Sequence, residues 1–152
     1  MKNVLAAAAL VVSGGMGMAS GDDIVRVPSS HDVPATMDRL EAAVTGAGAA
    51  VVARVDHAGA AQAADLQLAP SQVLIFGNPK IGTPAMQANP LAGLYLPLKV
   101  LVYEDAAGQT WLAYEQPKEM LDDLDGVADD AAYLATMAGA LGNLTAKAAA
   151  AE

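Results

Sequence analysis

The residues most able to do chemistry follow a short apolar segment near the middle of the chain. Val73–Phe76 form a run of four apolar residues, and turn-forming residues follow it directly. This pattern is typical of a buried strand. Asn78, Lys80 and Thr83 come directly after this segment, close to two glycines. An amide, an ammonium group and free backbone amides at the start of a helix can bind a small anion.

The same residues also allow a purely structural interpretation. Asn-Pro and Gly-Thr-Pro are turn sequences, and Asn78 can accept a hydrogen bond from the backbone two residues further on. The glycine spacing matches no phosphate-binding loop, because no Gly-Lys-Ser/Thr sequence follows the strand. A turn and an anion site therefore both remain open at this point.

His57 and Lys99 are the candidates for acid–base chemistry. His57 follows Asp56 at the end of a predicted strand, so it is either a base or ligand at a pocket mouth or a neighbour of a helix cap made by Asp56. Lys99 interrupts an apolar strand, where its ammonium group must reach water or a carboxylate. The candidate ligand-binding residues are His57, Asn78, Lys80, Thr83 and Lys99.

Several kinds of chemistry find no support in the sequence. The chain has no cysteine, which excludes disulfides, thiol catalysis and thiolate metal sites. No Ser-His-Asp order, His-Glu-x-x-His or Gly-x-Ser-x-Gly motif is present. Most methionines fall at core spacing, so soft ligands for a copper site are too few. No catalytic residue, metal ion or cofactor is predicted.

Hydrophobic periodicity predicts five strands separated by helices. The predicted strands are residues 24–27, 50–56, 73–76, 99–104 and 110–115. Helical spacing of Val33, Met37, Leu40, Val44 and Ala47 predicts a buried stripe on a helix that runs from residue 33 to the glycines at 46 and 48. Further helices are predicted at 58–64 and at 118–124. Residues 77–86 are predicted mainly as a turn, with one or two helical turns through residue 87. In the last helix the predicted buried stripe is Val127, Leu134, Met137, Leu141 and Leu144, and the alanine-rich tail from Ala146 is expected to fray.

These elements predict an α+β fold in a single domain. The last two strands are joined by a loop of about five residues that contains Gly108, so they form an antiparallel hairpin. The sheet therefore cannot be all parallel. We expect a mixed or antiparallel sheet of about five strands with helices packed on one face.

Residues 1–20 have the pattern of a secretory signal peptide. Lys2 precedes an unbroken apolar run at 4–12, and small residues follow up to Ser20. Nine apolar residues are too few to cross a bilayer, which needs about twenty. We predict cleavage after Ala19 or Ser20, a domain at 21–152, a periplasmic or secreted location, and no stable membrane insertion.

The charge of the chain narrows its partners. Lys and Arg number 8 against 17 Asp and Glu, which gives a formal net charge of −9. Such a surface repels nucleic acid, because phosphate binding depends on Lys and Arg. We therefore predict no nucleic-acid partner.

Several sequence segments, taken together, resemble the bacterial family DUF302, a domain of unknown function. The resemblance rests on Asp56-His57, on Leu74–Lys80, on Gly82–Met86 and on Leu96–Asp105, in that order, and is strongest over residues 57–118. It implies a compact α+β fold with a curved sheet backed by helices, often dimeric, and no established activity. Many relatives carry an Arg-His pair soon after the second hairpin strand, whereas residues 121–125 here are acidic.

Three functions remain open from the sequence. The first is a non-enzymatic periplasmic module that binds a small anion or metabolite, or a partner, near Asn78, Lys80, Thr83 and His57. The second is a small enzyme that uses His57 and Lys99 as acid and base. The third is a structural homodimer whose interface uses the hairpin at 99–114.

Overall fold

The computed structural model describes residues 23–151, so the predicted signal peptide lies outside the described residues. The strands are β1 (Ile24–Pro28), β2 (Ala50–Asp56), β3 (Ser71–Gly77), β4 (Leu98–Glu104) and β5 (Thr110–Glu115). The helices are α1 (Val33–Gly46), α2 (His57–Ala63), α3 (Pro79–Ala88), α4 (Pro117–Leu121) and α5 (Ala132–Ala149), with a 3₁₀ helix at Pro90–Leu94. Within residues 23–151, no helix combines the length and apolar character that crossing a membrane requires.

The five strands form one open antiparallel sheet in the order β1-β5-β4-β3-β2. β4 and β5 form the predicted hairpin, in which Leu101 lies opposite Ala113. The first two strands of the chain, β1 and β2, are the two edges of the sheet. The α+β prediction is confirmed, and the sheet is antiparallel throughout.

The main core lies between one face of the sheet and helices α1 and α5. The strands contribute alternate residues such as Leu74, Val100 and Leu112, which are fully buried because successive side chains point to opposite faces. α1 contributes the predicted stripe, of which Met37 and Leu40 are fully buried. The predicted packing of helices on one face is therefore confirmed.

A second, smaller cluster lies beneath α3, α4 and the first half of α5. Its buried members include Ala85, Leu121, Leu134 and Met137. Leu98, at the start of β4, packs against both this cluster and the main core. The two clusters thus meet along a seam at the end of the sheet where β3 stops and β4 begins.

The prediction of a turn at 77–86 is wrong over most of that segment. Helix α3 begins at Pro79, with Asn78 as its N-cap. Proline suits the first helical position, because its missing N–H is not needed there. The later Pro84 also lies inside the helix, which packs the buried Ala85 into the second cluster.

The prediction of a frayed tail from Ala146 is also wrong. α5 continues to Ala149, and Ala148 is fully buried. The guanidinium group of Arg39 donates hydrogen bonds to the carbonyl oxygens of Ala148, at 3.1 Å, and Ala150, at 3.0 Å. The terminal carbonyl groups of the helix are therefore held by α1 and are not left to water.

The start of the last helix lies later than its predicted stripe suggests. Val127 is buried but lies in a turn before α5, which begins at Ala132. The other four predicted stripe residues are buried within the helix. The stripe prediction is therefore confirmed for burial.

Candidate functional site: a cleft at the end of the sheet

The first turn of α3 uses its own backbone amides internally. The Asn78 side chain accepts a hydrogen bond from the N–H of Lys80 at 3.0 Å. The carbonyl oxygen of Asn78 accepts from the N–H groups of Ile81, at 2.9 Å, and Gly82, at 3.0 Å. Because Pro79 has no N–H, no amide of this turn is left for an anion. The structural interpretation of Asn78 as a cap is confirmed.

A cleft of about 500 Å³ opens beside this turn, at the seam between the two hydrophobic clusters. We call it the strand-end cleft. Five parts of the chain line it: the segment from Ala47 to Val52, the end of β3, helix α3, the segment before β4, and helix α5. Its larger apolar lining residues are Phe76, Ile81, Met86, Leu96, Leu98, Met137 and Leu144.

The lining of the strand-end cleft is almost entirely apolar and uncharged. Its only polar side chains are those of Asn78, Thr83 and Asn143. Small residues, among them Ala50 and Ala140, leave the space open. A concave apolar site with a few polar groups is the usual form of a small-molecule site, and its volume lies within the common range of about 300–1,000 Å³.

The structure brings two of the five predicted site residues to this cleft. Asn78 and Thr83 line it. Lys80 belongs to the same helix but is exposed and is not among the lining residues. His57 and Lys99 do not line the cleft either.

His57 lies at the opposite end of the sheet from the cleft. It is the first residue of α2 and is exposed. Asp56 caps this helix, since its side chain accepts a hydrogen bond from the N–H of Gly59 at 2.9 Å. The interpretation of Asp56 as a cap is therefore confirmed, and His57, the next residue, is exposed.

Lys99 lies on the sheet face that α1 and α5 do not cover, because its neighbour Val100 points into the main core. Its ammonium group donates a hydrogen bond to the carbonyl oxygen of Tyr95 at 3.1 Å. Lys99 pairs with Ile75, whereas Asp56 pairs with Gln72. The region of His57 is thus roughly 10 Å from Lys99 along the strands and roughly 10 Å across them.

Sequence reasoning missed most of the cleft, because its lining residues carry no chemical signal. Met137 and Ile81 occur in helices at core spacing, and Ala140 is one of many alanines in α5. Only the turn that ends β3 indicated this location. Lys80 was predicted as a site residue because it is polar, whereas the lining of the cleft consists mainly of apolar residues.

No metal centre accompanies the cleft in the described part of the chain. Among residues 23–151, no three His, Asp or Glu side chains come together in a way that could hold an ion. A shallow acidic depression on α1 is lined by Asp38 and Glu41. Both carboxylates already pair with Arg54 from β2, at 2.6 Å and 3.3 Å.

Comparison with known proteins supports the fold and the family. Residues 25–146 match the family described as "Domain of unknown function DUF302". A crystal structure of the uncharacterized conserved protein DUF302 from Bacillus stearothermophilus is similar, with a TM-score of 0.74. The similarity covers 82% of this chain and 97% of that one at 22% sequence identity, which supports the fold alone.

Two curated proteins resemble the chain more closely in sequence. "Fluoride-specific ion channel FluC 1" of Brucella suis biovar 1 (strain 1330) and the protein of the same name from Brucella abortus biovar 1 (strain 9-941) are each 38% identical over 117 residues. The aligned region covers 76% of this chain but 46% and 43% of those proteins. The chain therefore spans less than half the length of the curated relatives it matches.

Proposed function

The chain belongs to the DUF302 family, and we propose that this member binds a small molecule in the strand-end cleft without chemically changing it. The observation that carries the proposal is the cleft itself, about 500 Å³ of space bounded by apolar side chains. The cleft is partly open to solvent, and a concave apolar site of this volume is the usual form of a small-molecule site. A ligand that covers its apolar lining would remove that surface from water.

The position of the cleft also supports binding. It lies between two clusters that are each packed, so neither core must open to admit a ligand. Phe76 and Leu144 belong to the main core, and Met137 belongs to the second cluster. Burial of a ligand's apolar surface against such side chains releases about 25 cal/mol for each Å².

Binding is favoured over catalysis by the separation of the two acid–base candidates. A general acid and a general base must reach one substrate within hydrogen-bond distance. His57 and Lys99 lie toward different ends of the sheet and two strands apart, and neither borders the cleft. A molecule bound in the uncharged cleft is therefore not within reach of either group.

The test is to fill the cleft from α5. Ala140 lines the cleft, whereas Ala135 is exposed on the same helix and does not. Ala140→Phe should abolish retention of small molecules in native mass spectra of protein purified from the exporting cell, and Ala135→Phe should leave it unchanged. Equal retention by both variants would refute this function. An unaltered protein that neither retains a small molecule nor binds an added one would refute it as well.

We also propose that the chain is exported, since an apolar leader at 4–12 supports this. Amino-terminal sequencing of the protein from the periplasm should begin at Ser20 or Gly21. Recovery of membrane-bound protein that still begins at Met1 would refute export by signal cleavage.

A second candidate function comes from the curated relatives. Their printed names are those of fluoride-specific ion channels, and the region they share with this chain is less than half of each. We propose as an alternative that this chain supports the work of a fluoride channel. Deleting its gene should then increase growth inhibition by fluoride, and restoring the gene should reverse it. Unchanged fluoride sensitivity would exclude this role.

The proposed homodimer would have to use a face of the hairpin. Both hairpin strands are already paired on both sides, β5 with β1 and β4 with β3. Half-buried Leu101 and Trp111 on the face that the helices leave uncovered support such a contact. Sedimentation of the protein should give a dimer that Leu101→Arg dissociates, and a monomer at all concentrations would refute the proposal.

A further inference from the structure

We infer that the ligand of the strand-end cleft is an electrically neutral, mainly apolar molecule with one uncharged polar end. This inference rests on the proposed binding function and names the class of molecule bound. It departs from the small anion that Asn78, Lys80 and Thr83 suggested in the sequence.

The first argument is the absence of any charge among the cleft's lining residues. None of them is Asp, Glu, Lys, Arg or His, although the chain as a whole carries 25 acidic and basic residues in a 17 to 8 ratio. A charged group transferred into an apolar site without a partner loses hydration that nothing replaces. An anionic ligand would also approach a protein whose formal net charge is −9.

The second argument concerns the helix beside the cleft. An anion at a helix start is held by free N–H groups. In α3 these groups already bond to the side chain and carbonyl oxygen of Asn78. The helix therefore offers the cleft no free amide in its first turn.

The third argument assigns the polar end of the ligand. The oxygen of the Asn78 side chain is used by the cap, which leaves its NH₂ group as a donor at the cleft. Thr83 and Asn143 add a hydroxyl and a second amide, both on exposed positions of the lining. Neutral donors of this kind suit an ester, ketone or hydroxyl oxygen.

The experiment compares two fluorescent probes that share one aromatic scaffold. Phenylnaphthylamine is neutral, and anilinonaphthalene sulfonate carries one added sulfonate. Titration of the purified protein should give a dissociation constant at least about tenfold lower for the neutral probe, because the sulfonate loses hydration without gaining a partner. Ala140→Phe should abolish this binding, while Ala135→Phe should not.

Thr83→Phe also blocks the strand-end cleft, from an exposed position, and serves if Ala140→Phe does not fold. Circular dichroism checks the fold of each variant. Equal or tighter binding of the sulfonate, blocked by the same substitutions, would overturn the neutral class and leave the binding function standing. Binding of neither probe, or neutral binding that survives both blocking substitutions, would overturn the inference and the binding function together. Tighter binding of the neutral probe that both Ala140→Phe and Thr83→Phe block would support the inference and the binding function.

Discussion

Removing the Phe76 side chain tests the seam on which the cleft depends. Phe76 is 2% exposed on β3, between Val51 of β2 and Leu98 of β4. Truncating a buried phenylalanine to alanine costs about 3–5 kcal/mol. Since Phe76 also lines the cleft, the void left by Phe76→Ala opens into existing space and is not a closed cavity. We therefore expect Phe76→Ala to lower the free energy of unfolding by about 3 kcal/mol, the low end of this range.

Leu74→Ala is the matched control. Leu74 lies two residues earlier on the same face, is fully buried, and does not line the cleft. Its smaller side chain leaves a closed cavity, so a loss of about 3–4 kcal/mol is expected in spite of the smaller number of atoms removed. The two substitutions should therefore cost nearly the same.

The free energy of unfolding can be measured in urea, with the fluorescence of the single Trp111 as the signal. With a denaturant dependence of about 2 kcal/mol per molar urea, each variant should lower the midpoint by about 1.5 M. A loss below about 1 kcal/mol for Phe76→Ala would refute the burial of β3. A much larger loss for Phe76→Ala than for Leu74→Ala would refute the argument that its void opens into the cleft.

Three further predictions use the same urea assay. Asn78→Ala should cost about 0.5–2 kcal/mol by removing the cap of α3, while Lys80→Ala should change almost nothing, and the reverse order would contradict the cap. Thr36→Val should cost about 1 kcal/mol, because the buried Thr36 hydroxyl bonds to the Ser29 hydroxyl at 2.7 Å, and a neutral result would mean that this bond adds no net stability. The indole N–H of Trp111 donates a hydrogen bond to the Asp105 carboxylate, and this bond lowers the pKa of Asp105. The bond stabilises the fold fully above the ordinary pKa of about 3.9, and its contribution is lost as the pH falls through the lowered pKa. Asp105→Asn should therefore flatten the loss of stability below about pH 4, and an unchanged acid slope would contradict this assignment.

The sequence predicted elements best where the local signals and the tertiary packing agree. β2 was predicted with its observed bounds, since a glycine turn precedes it and the capping residue Asp56 ends it. The α1 stripe was predicted because Val33, Met37 and Leu40 recur at helical spacing and all face the same core. In these segments the local pattern and the tertiary packing favour the same structure.

The failures occurred where tertiary contacts override weak local preferences. Gly82 and Pro84 are poor helix formers inside a helix, yet packing of Ala85 in the second cluster stabilises α3. An alanine-rich tail predicts fraying, but Arg39 lies far from it in sequence and was not foreseen as its cap.

The candidate site was predicted only in part, for a related reason. Asn78 and Thr83 were selected because they follow a buried strand, and both line the cleft. The apolar walls come from segments as distant as Ala47 and Leu144, and no local pattern relates them. Lys80 was selected for its charge, although a charged side chain at the surface is satisfied by water.

The strand order has a consequence for how the chain is made. Within residues 23–151, β1 precedes the other strands of the sheet, but it pairs with β5, and Ile24 lies opposite Glu115. β2 likewise waits for β3, and the sheet gains its central pair only when β4 and β5 exist. Such non-local pairing slows folding and leaves strand edges unprotected until β5 has been synthesised. A nascent chain that ends before Thr110 has β1 without its partner and an open edge on β4.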